Sequence, residues 1–317
     1  MKQRAFEQRY EGVWRELEVA LTRQKGRDDG AFPERYRELC HHLAIAKQRR
    51  YSPQLIERLN TLVTQGHHYF YSHTYRGRLQ WLEFVLRGFP RVVRANRLFV
   101  YVATALFVGP LLLMGLACYL NAEFVYSVLG VGDVAMMESM YEPGEQKAGR
   151  QRASDTDIYM FGFYIKNNIG ISFQTFAGGI LFGVGSIFFL MYNGIYIGAV
   201  AGHLAQAGYG STFFPFVAGH GSFELTAIVL SGAAGLKLGC ALICPGDQRM
   251  KFALKAAGKD AILIMYGAII MLLIAAFIEA FWSSSTSIPA LVRYAVGLCL
   301  WALVIGYFVA SGRRRES

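Results

Sequence analysis

The sequence predicts an all-α chain: a polytopic membrane helix bundle of about six membrane segments, one short or re-entrant, behind an N-terminal cytoplasmic helical domain. Composition points there first, since 54% of the 317 residues are hydrophobic and only 17% are charged. Charge is also uneven, with 19 Lys or Arg and 10 Asp or Glu in residues 1–97 but 13 and 12 over the remaining 220 positions. Finally, four runs approach or exceed the roughly 20 apolar residues that a helix needs to cross the hydrocarbon layer: 98–120, 171–192, 260–282 and 288–310.

The N-terminal domain, 1–97, reads as helices. Its start, MKQRAFEQRYEGVWRELEVAL, is amphipathic and charged, unlike a cleavable signal peptide, so the N-terminus is expected to be retained and cytoplasmic. An amphipathic run over about 3–25 breaks at GRDDGAFP; a second covers 34–49, and a third begins at Ser52-Pro53, a cap followed by proline at the first helical position. The histidines His41, His42, His67, His68 and His73 suit solvated or partner-facing positions better than metal, because adjacent histidines point apart on a helix. The run HHYFYSHTY suggests packing against another helix or a partner.

The bundle is expected over 98–317. Arg87, Arg91, Arg94 and Arg97 precede the first span and set its start inside, while the loop 121–157, with seven acidic and three basic residues, suits the outside. Arg249, Lys251, Lys255 and Lys259, and the Arg313-Arg314-Arg315 tail, read as cytoplasmic. Residues 213–244 form a fifth span despite a polar pair. Five crossings that start inside would finish outside, so a sixth segment is required. The candidate is 193–208, too short for an ordinary span and therefore read as a broken helix or a re-entrant partner of 171–192, enclosed by protein. Both termini are then cytoplasmic, in a bacterial inner membrane.

Small residues recur at four-residue spacing: Gly179 and Gly183; Gly194, Gly198 and Gly202; Gly235 and Gly239. In lipid this spacing lets helix backbones approach closely, so these glycines are expected at helix contacts or along a substrate path. The polarity of VAGHGSFELTAIVLSGAAGLKLG is confined mainly to His220 and Glu224, one helical turn apart and on one face. An ionisable residue at bilayer depth costs about 2.5–3.5 kcal/mol on insertion scales, so it faces the bundle interior and marks function by default.

Three readings stay open. One is a buried clamp in which Glu224 accepts from His220, Asn193 or His203. Another is a proton or cation site supported by Asn193, His203, Asn167 or Asn168. The third is a catalytic metal site, which HxxxE alone underfills with two ligands, since no Asp lies nearby to complete a triad; no metal and no cofactor is expected. Lys237, near the cytoplasmic end, is expected to snorkel; Glu279 and Arg293 flank a short external loop, where an ion pair between them is open and worth little if wet. No Walker A, GxSxG or nucleotide-binding glycine fingerprint occurs. The five cysteines lack a CxxC pair, which argues against disulfide or metal roles.

FPRVVR (89–94), NNIGISFQTFAGGILFGVGSIFFLMYNGIYIGAVAGHLA (167–205) and HGSFELTAIVLSGAAGLKLG (220–239) together resemble the stage II sporulation protein M family of integral membrane proteins. The N-terminal pattern of Trp14, Leu17, Tyr36, Arg37, Leu39 and Leu59–Val63 is similar to the longer members from bacteria that do not form spores. The resemblance implies a non-enzymatic envelope scaffold, similar to one that works with peptidoglycan-degrading partners. It also implies neighbours among RDD-domain membrane proteins and MoxR-type ATPases. The expected partners are membrane lipids, a second copy in a homodimer, and membrane-protein or cytoplasmic ATPase partners, with no nucleic acid. A channel or transporter centred on His220 and Glu224 is the alternative, and a metal-dependent intramembrane hydrolase the weaker one.

Overall fold

The computed structural model describes residues 2–22, 32–142, 154–285 and 288–311, and among these every regular element is helical. The expected break at GRDDGAFP, most of the polar stretch 141–157 and the arginine tail lie outside the described residues. The chain divides into two compact units, Met1–Glu83 and Phe84–Ser317.

The first unit comprises α1 (Gln3–Thr22), α2 (Phe32–Gln48) and α3 (Pro53–Glu83). Ser52 caps α3, its Oγ accepting from the Leu55 amide at 3.4 Å, which satisfies one of the orphan donors of the first turn. Phe6, Trp14, Leu17, Leu39, Leu43, Leu59 and Leu62 from the three helices share one core. Arg58 of α3 ties it shut by donating to Glu11 at 3.0 Å and to Glu18 at 3.0 Å on α1. Its guanidinium lies 5.8 Å from the Trp14 ring centroid. The buried His42 receives a hydrogen bond on Nδ1 from Trp14 Nε1 at 3.2 Å, so it fills a core position rather than the solvated or partner-facing one expected.

The second unit is an all-α membrane helix bundle. It opens with a π-helical turn, Phe84–Gly88, and α4 (Phe89–Ala95). Its start lies upstream of the expected boundary at residue 97, for a packing reason. Phe89 and Val93 are buried in the core of this unit, and Phe89 fills the space above Gly267, where a Cβ would lie 2.0 Å from the ring. There follow α5 (Arg97–Leu120), α6 (Val131–Tyr141), α7 (Ser154–Ala177), α8 (Val184–Gln206), α9 (Gly210–Ile243), α10 (Met250–Phe277, prolonged by a π-helical stretch Ile278–Ser283) and α11 (Ala290–Ala310). Five of these helices, α5, α8, α9, α10 and α11, are long and apolar enough to cross a membrane. The sixth long helix, α7, carries Asp155, Asp157 and Lys166 and is more polar. Central to the bundle is α9, which packs against α5, α7, α8, α10 and α11.

The expected run 171–192 is not one span. The helix ends at Ala177, a 3₁₀ turn covers Gly178–Ile180, and Phe182 (φ 53°) and Gly183 (φ 83°) take left-handed backbone before α8 starts. Glycine reaches that conformation without a Cβ penalty, which makes 178–183 a sharp reversal. Residues 193–206, expected as a short or re-entrant piece, are instead the second half of the full-length α8. The break therefore sits one segment earlier than expected, and the polar α7 precedes it as a helix of its own.

The turn is pinned against α9. A Cβ on Gly179 would lie 2.2 Å from the Gly235 carbonyl oxygen, and one on Gly239 would lie 2.3 Å from the Gly183 nitrogen. On the other side, α8 crosses α5 along Gly194, Gly198 and Gly202, whose Cβ positions fall 2.3 Å, 2.3 Å and 2.1 Å from the carbonyl oxygens of Phe107, Leu111 and Gly115. Such spacing excludes any side chain, including alanine.

Candidate functional site: a carboxylate pair and a buried imidazole

His220 and Glu224 lie on α9, where the small neighbours Gly219 and Gly221 keep the helix surface low. A Cβ on Gly219 would stand 3.3 Å from Ile278, so that glycine lets the π-helical end of α10 come close. A π-helical turn holds an extra residue and re-aims the side chains it carries, a feature common at functional sites. Here it carries Glu279 and Ser283, both buried. One ligand-type atom each from His220, Glu224 and Glu279 lies within 4.8 Å of the other two.

Glu279 does not pair with Arg293: the residue is 9% exposed and its carboxylate lies beside Glu224. Arg293 donates to the carbonyl oxygens of Ser283 and Ser285. His220 is 4% exposed, its Nδ1 lies 3.2 Å from Ser283 Oγ, and its Nε2 lies 4.0 Å from Glu224 Oε2. That last separation exceeds hydrogen-bond reach, so the two residues are juxtaposed without being bonded. Among the described residues neither carboxylate accepts a hydrogen bond.

The other candidates do not converge here. Asn193 Nδ2 donates to the Phe189 carbonyl of its own helix at 2.7 Å. His203 Nε2 lies 2.8 Å from Glu138 Oε1 of α6. Asn167 Nδ2 donates to Asn168 Oδ1 at 3.2 Å, and Asn168 Nδ2 and Ser172 Oγ, one turn apart on α7, are buried without a partner among the described residues. The clamp foreseen for Glu224, with donors from His220, Asn193 or His203, is therefore not formed.

Glu224 and His220 also line a cleft of about 490 Å³, whose wall includes Tyr141, Tyr196, Tyr294 and Trp301. The polar cluster thus borders an aromatic-walled space on one side and the π turn on the other. Charged groups removed from water need a countercharge or proton.

Lys237 corrects a second expectation. Rather than snorkelling, its Nζ donates to Asp260 of α10 and, at 2.6 Å, to Asn96 Oδ1; Asn96 Nδ2 in turn donates to Asp260 at 3.3 Å. This triad cross-links α9, α10 and the start of α5.

Glu279 was missed because sequence spacing placed it near a span end, 55 residues beyond Glu224. Its apolar flanks, AAFIEAFW, are the local signal that a carboxylate there is enclosed.

Comparison with known proteins agrees with this architecture. The model of the family described as stage II sporulation protein M matches residues 98–284, and that of a domain of unknown function (DUF8413) matches residues 4–72. A relative from Methanocaldococcus jannaschii, "Uncharacterized protein MJ0793", is 28% identical over 125 residues, which cover 39% of this chain and 70% of the relative. No solved structure matches. His220, Glu224, Glu279 and Ser283 all fall inside the matched segment, which spans more than half of the sequence, and the chain belongs to the stage II sporulation protein M family.

Proposed function

We propose that this family member is a non-enzymatic membrane protein that takes up a proton or a cation at His220, Glu224 and Glu279, as a channel or transporter does. One observation carries the reading: two carboxylates face each other inside the bundle without a hydrogen-bond donor, and one of them lines the cleft. Intramembrane ionisable groups are costly unless paired, and they mark ion paths or proton relays. In this reading both ends are cytoplasmic in the inner membrane, supported by six long helices and by the basic residues that precede α5 and α10.

The test is proton and cation flux into proteoliposomes, comparing wild type with Glu224→Gln at equal reconstituted amounts. Flux that falls at least tenfold in the variant is expected. Equal flux in both proteins, or none in the wild type, would refute the reading.

The envelope-scaffold role has its own support, the self-contained three-helix unit with a core separate from the bundle. In that role the unit holds a cytoplasmic partner while the bundle anchors it, with a second copy packed beside it.

A further inference from the structure

We propose that the His220, Glu224 and Glu279 cluster binds one divalent transition-metal cation of the Zn²⁺ or Mn²⁺ class. The inference deepens the ion-site reading above and rests on it.

Two features favour a metal over a shared proton. The first is the donor set. Imidazole nitrogen with two carboxylate oxygens suits zinc, manganese, iron or cobalt, whereas magnesium and calcium prefer oxygen alone. The second is orientation. Ser283 Oγ can hold Nδ1 from either side of that hydrogen bond, and in the tautomer where Nδ1 donates, the Nε2 lone pair is free on the side of Glu224, 4.0 Å away. That tautomer is the one a cation seated between Nε2 and the carboxylate would select.

The spacing is near what a metal needs. Ligands at about 2.0–2.2 Å from one ion stand about 3.4 Å apart in tetrahedral geometry. The three atoms here lie within 4.8 Å, so closure requires at most about 1.4 Å of movement, within the reach of two glutamate side chains. Glu279 supplies the independent sign of a ligand: the residue is only 9% exposed, and no described residue donates a hydrogen bond to its carboxylate. Because His220 and Glu224 also form the cleft wall, the fourth coordination position opens into that cleft, as in sites that exchange ligands rather than closed structural ones. Ser283 is a positioning residue that fixes the ring, as outer-shell partners of metal-bound histidines do.

The experiment uses the full chain in detergent micelles, stripped with chelator and titrated with Co²⁺, read by d–d absorbance and by calorimetric competition with Zn²⁺. Wild type is expected to bind one ion per chain. Glu279→Gln should weaken binding at least 100-fold, and Ser283→Ala, which keeps all three ligands, about 10–100-fold. Glu138→Gln, which alters the partner of His203, should bind as wild type. Each variant is melted first, and if Glu279→Gln does not fold, Ser283→Ala and the wild-type stoichiometry decide. Wild type that takes up no Co²⁺ or Zn²⁺, or a Glu279→Gln protein that binds like wild type, overturns the proposal. Proton flux measured on the chelated protein separates the two ideas: flux without metal binding leaves the ion site standing and removes only the metal.

Discussion

Replacing Gly202 by alanine tests the α5–α8 crossing. The added Cβ would lie 2.1 Å from the Gly115 carbonyl oxygen, against an ordinary contact that starts at 3.4 Å. The opposing atom is backbone, so no side chain can swing aside and the helices must part by about 1.3 Å along that line. A gap of about 0.5–1 Å already forfeits a quarter to a half of the dispersion attraction between facing atoms. In lipid that attraction is much of what holds two helices together. The expected loss is about 1–3 kcal/mol, the range for overpacking a tight core. Reversible unfolding in mixed micelles with increasing SDS measures it, with Gly109→Ala as control, since nothing lies within 4 Å of a Cβ at Gly109 on α5. The control should change by under about 0.5 kcal/mol. Replacing Gly194, Gly198 and Gly202 together should cost less than three times the single change, because the first methyl has already opened the seam shared by all three. A Gly202→Ala protein as stable as wild type, or a Gly109→Ala protein destabilised equally, would refute the packing argument.

Two further outcomes follow from polar groups outside the ion site. Burial holds the His42 imidazole below its ordinary range, so the unfolded chain takes up that proton first as pH falls. The stability it contributes is fully present above about pH 6.5 and is lost as pH drops through the lower folded value. The protection factors of α1–α3 amides, intrinsic exchange rate over observed rate at each pH, should therefore fall between pH 7.5 and 5.5 in wild type and less in His42→Gln, and equal slopes would contradict it. Lys237→Met strands the Asp260 carboxylate, half-buried beside Asn96. A loss of about 1–3 kcal/mol is expected, between exposed and buried pairs, with partial recovery in the Lys237→Met, Asp260→Asn double variant; a melting temperature that stays at the wild-type value in Lys237→Met would count against the triad.

The first unit was readable almost helix by helix, because an amphipathic period and a Ser-Pro start are local signals. Ser52 does cap α3, and the amphipathic run at the start does form the helix α1, which buries Phe6, Trp14 and Leu17. Inside the bundle, hydropathy alone gave no marker of direction. The continuous apolar run 171–192 looked like one span, although the paired Gly178-Gly179 and the later Gly183 are the turn signal that divides it. Polarity misled in the other direction for α7, whose acidic start made it look like loop.

The pairing of His220 with Glu224 was legible because four residues on a helix define one face. Its completion by Glu279 and Ser283 was not, because the contact depends on how α9 and the end of α10 cross and on the rotation that a π turn imposes. Likewise Asn193 and His203 look equally eligible by distance along the chain, and only the packed bundle sends one to its own backbone and the other to Glu138. The sequence by itself determined class, membrane character and the polar half-site, since those follow from composition and helical period. Tertiary structure alone decided which charges meet, since inside a membrane a buried carboxylate's neighbours are set by the helix crossings rather than by spacing along the chain.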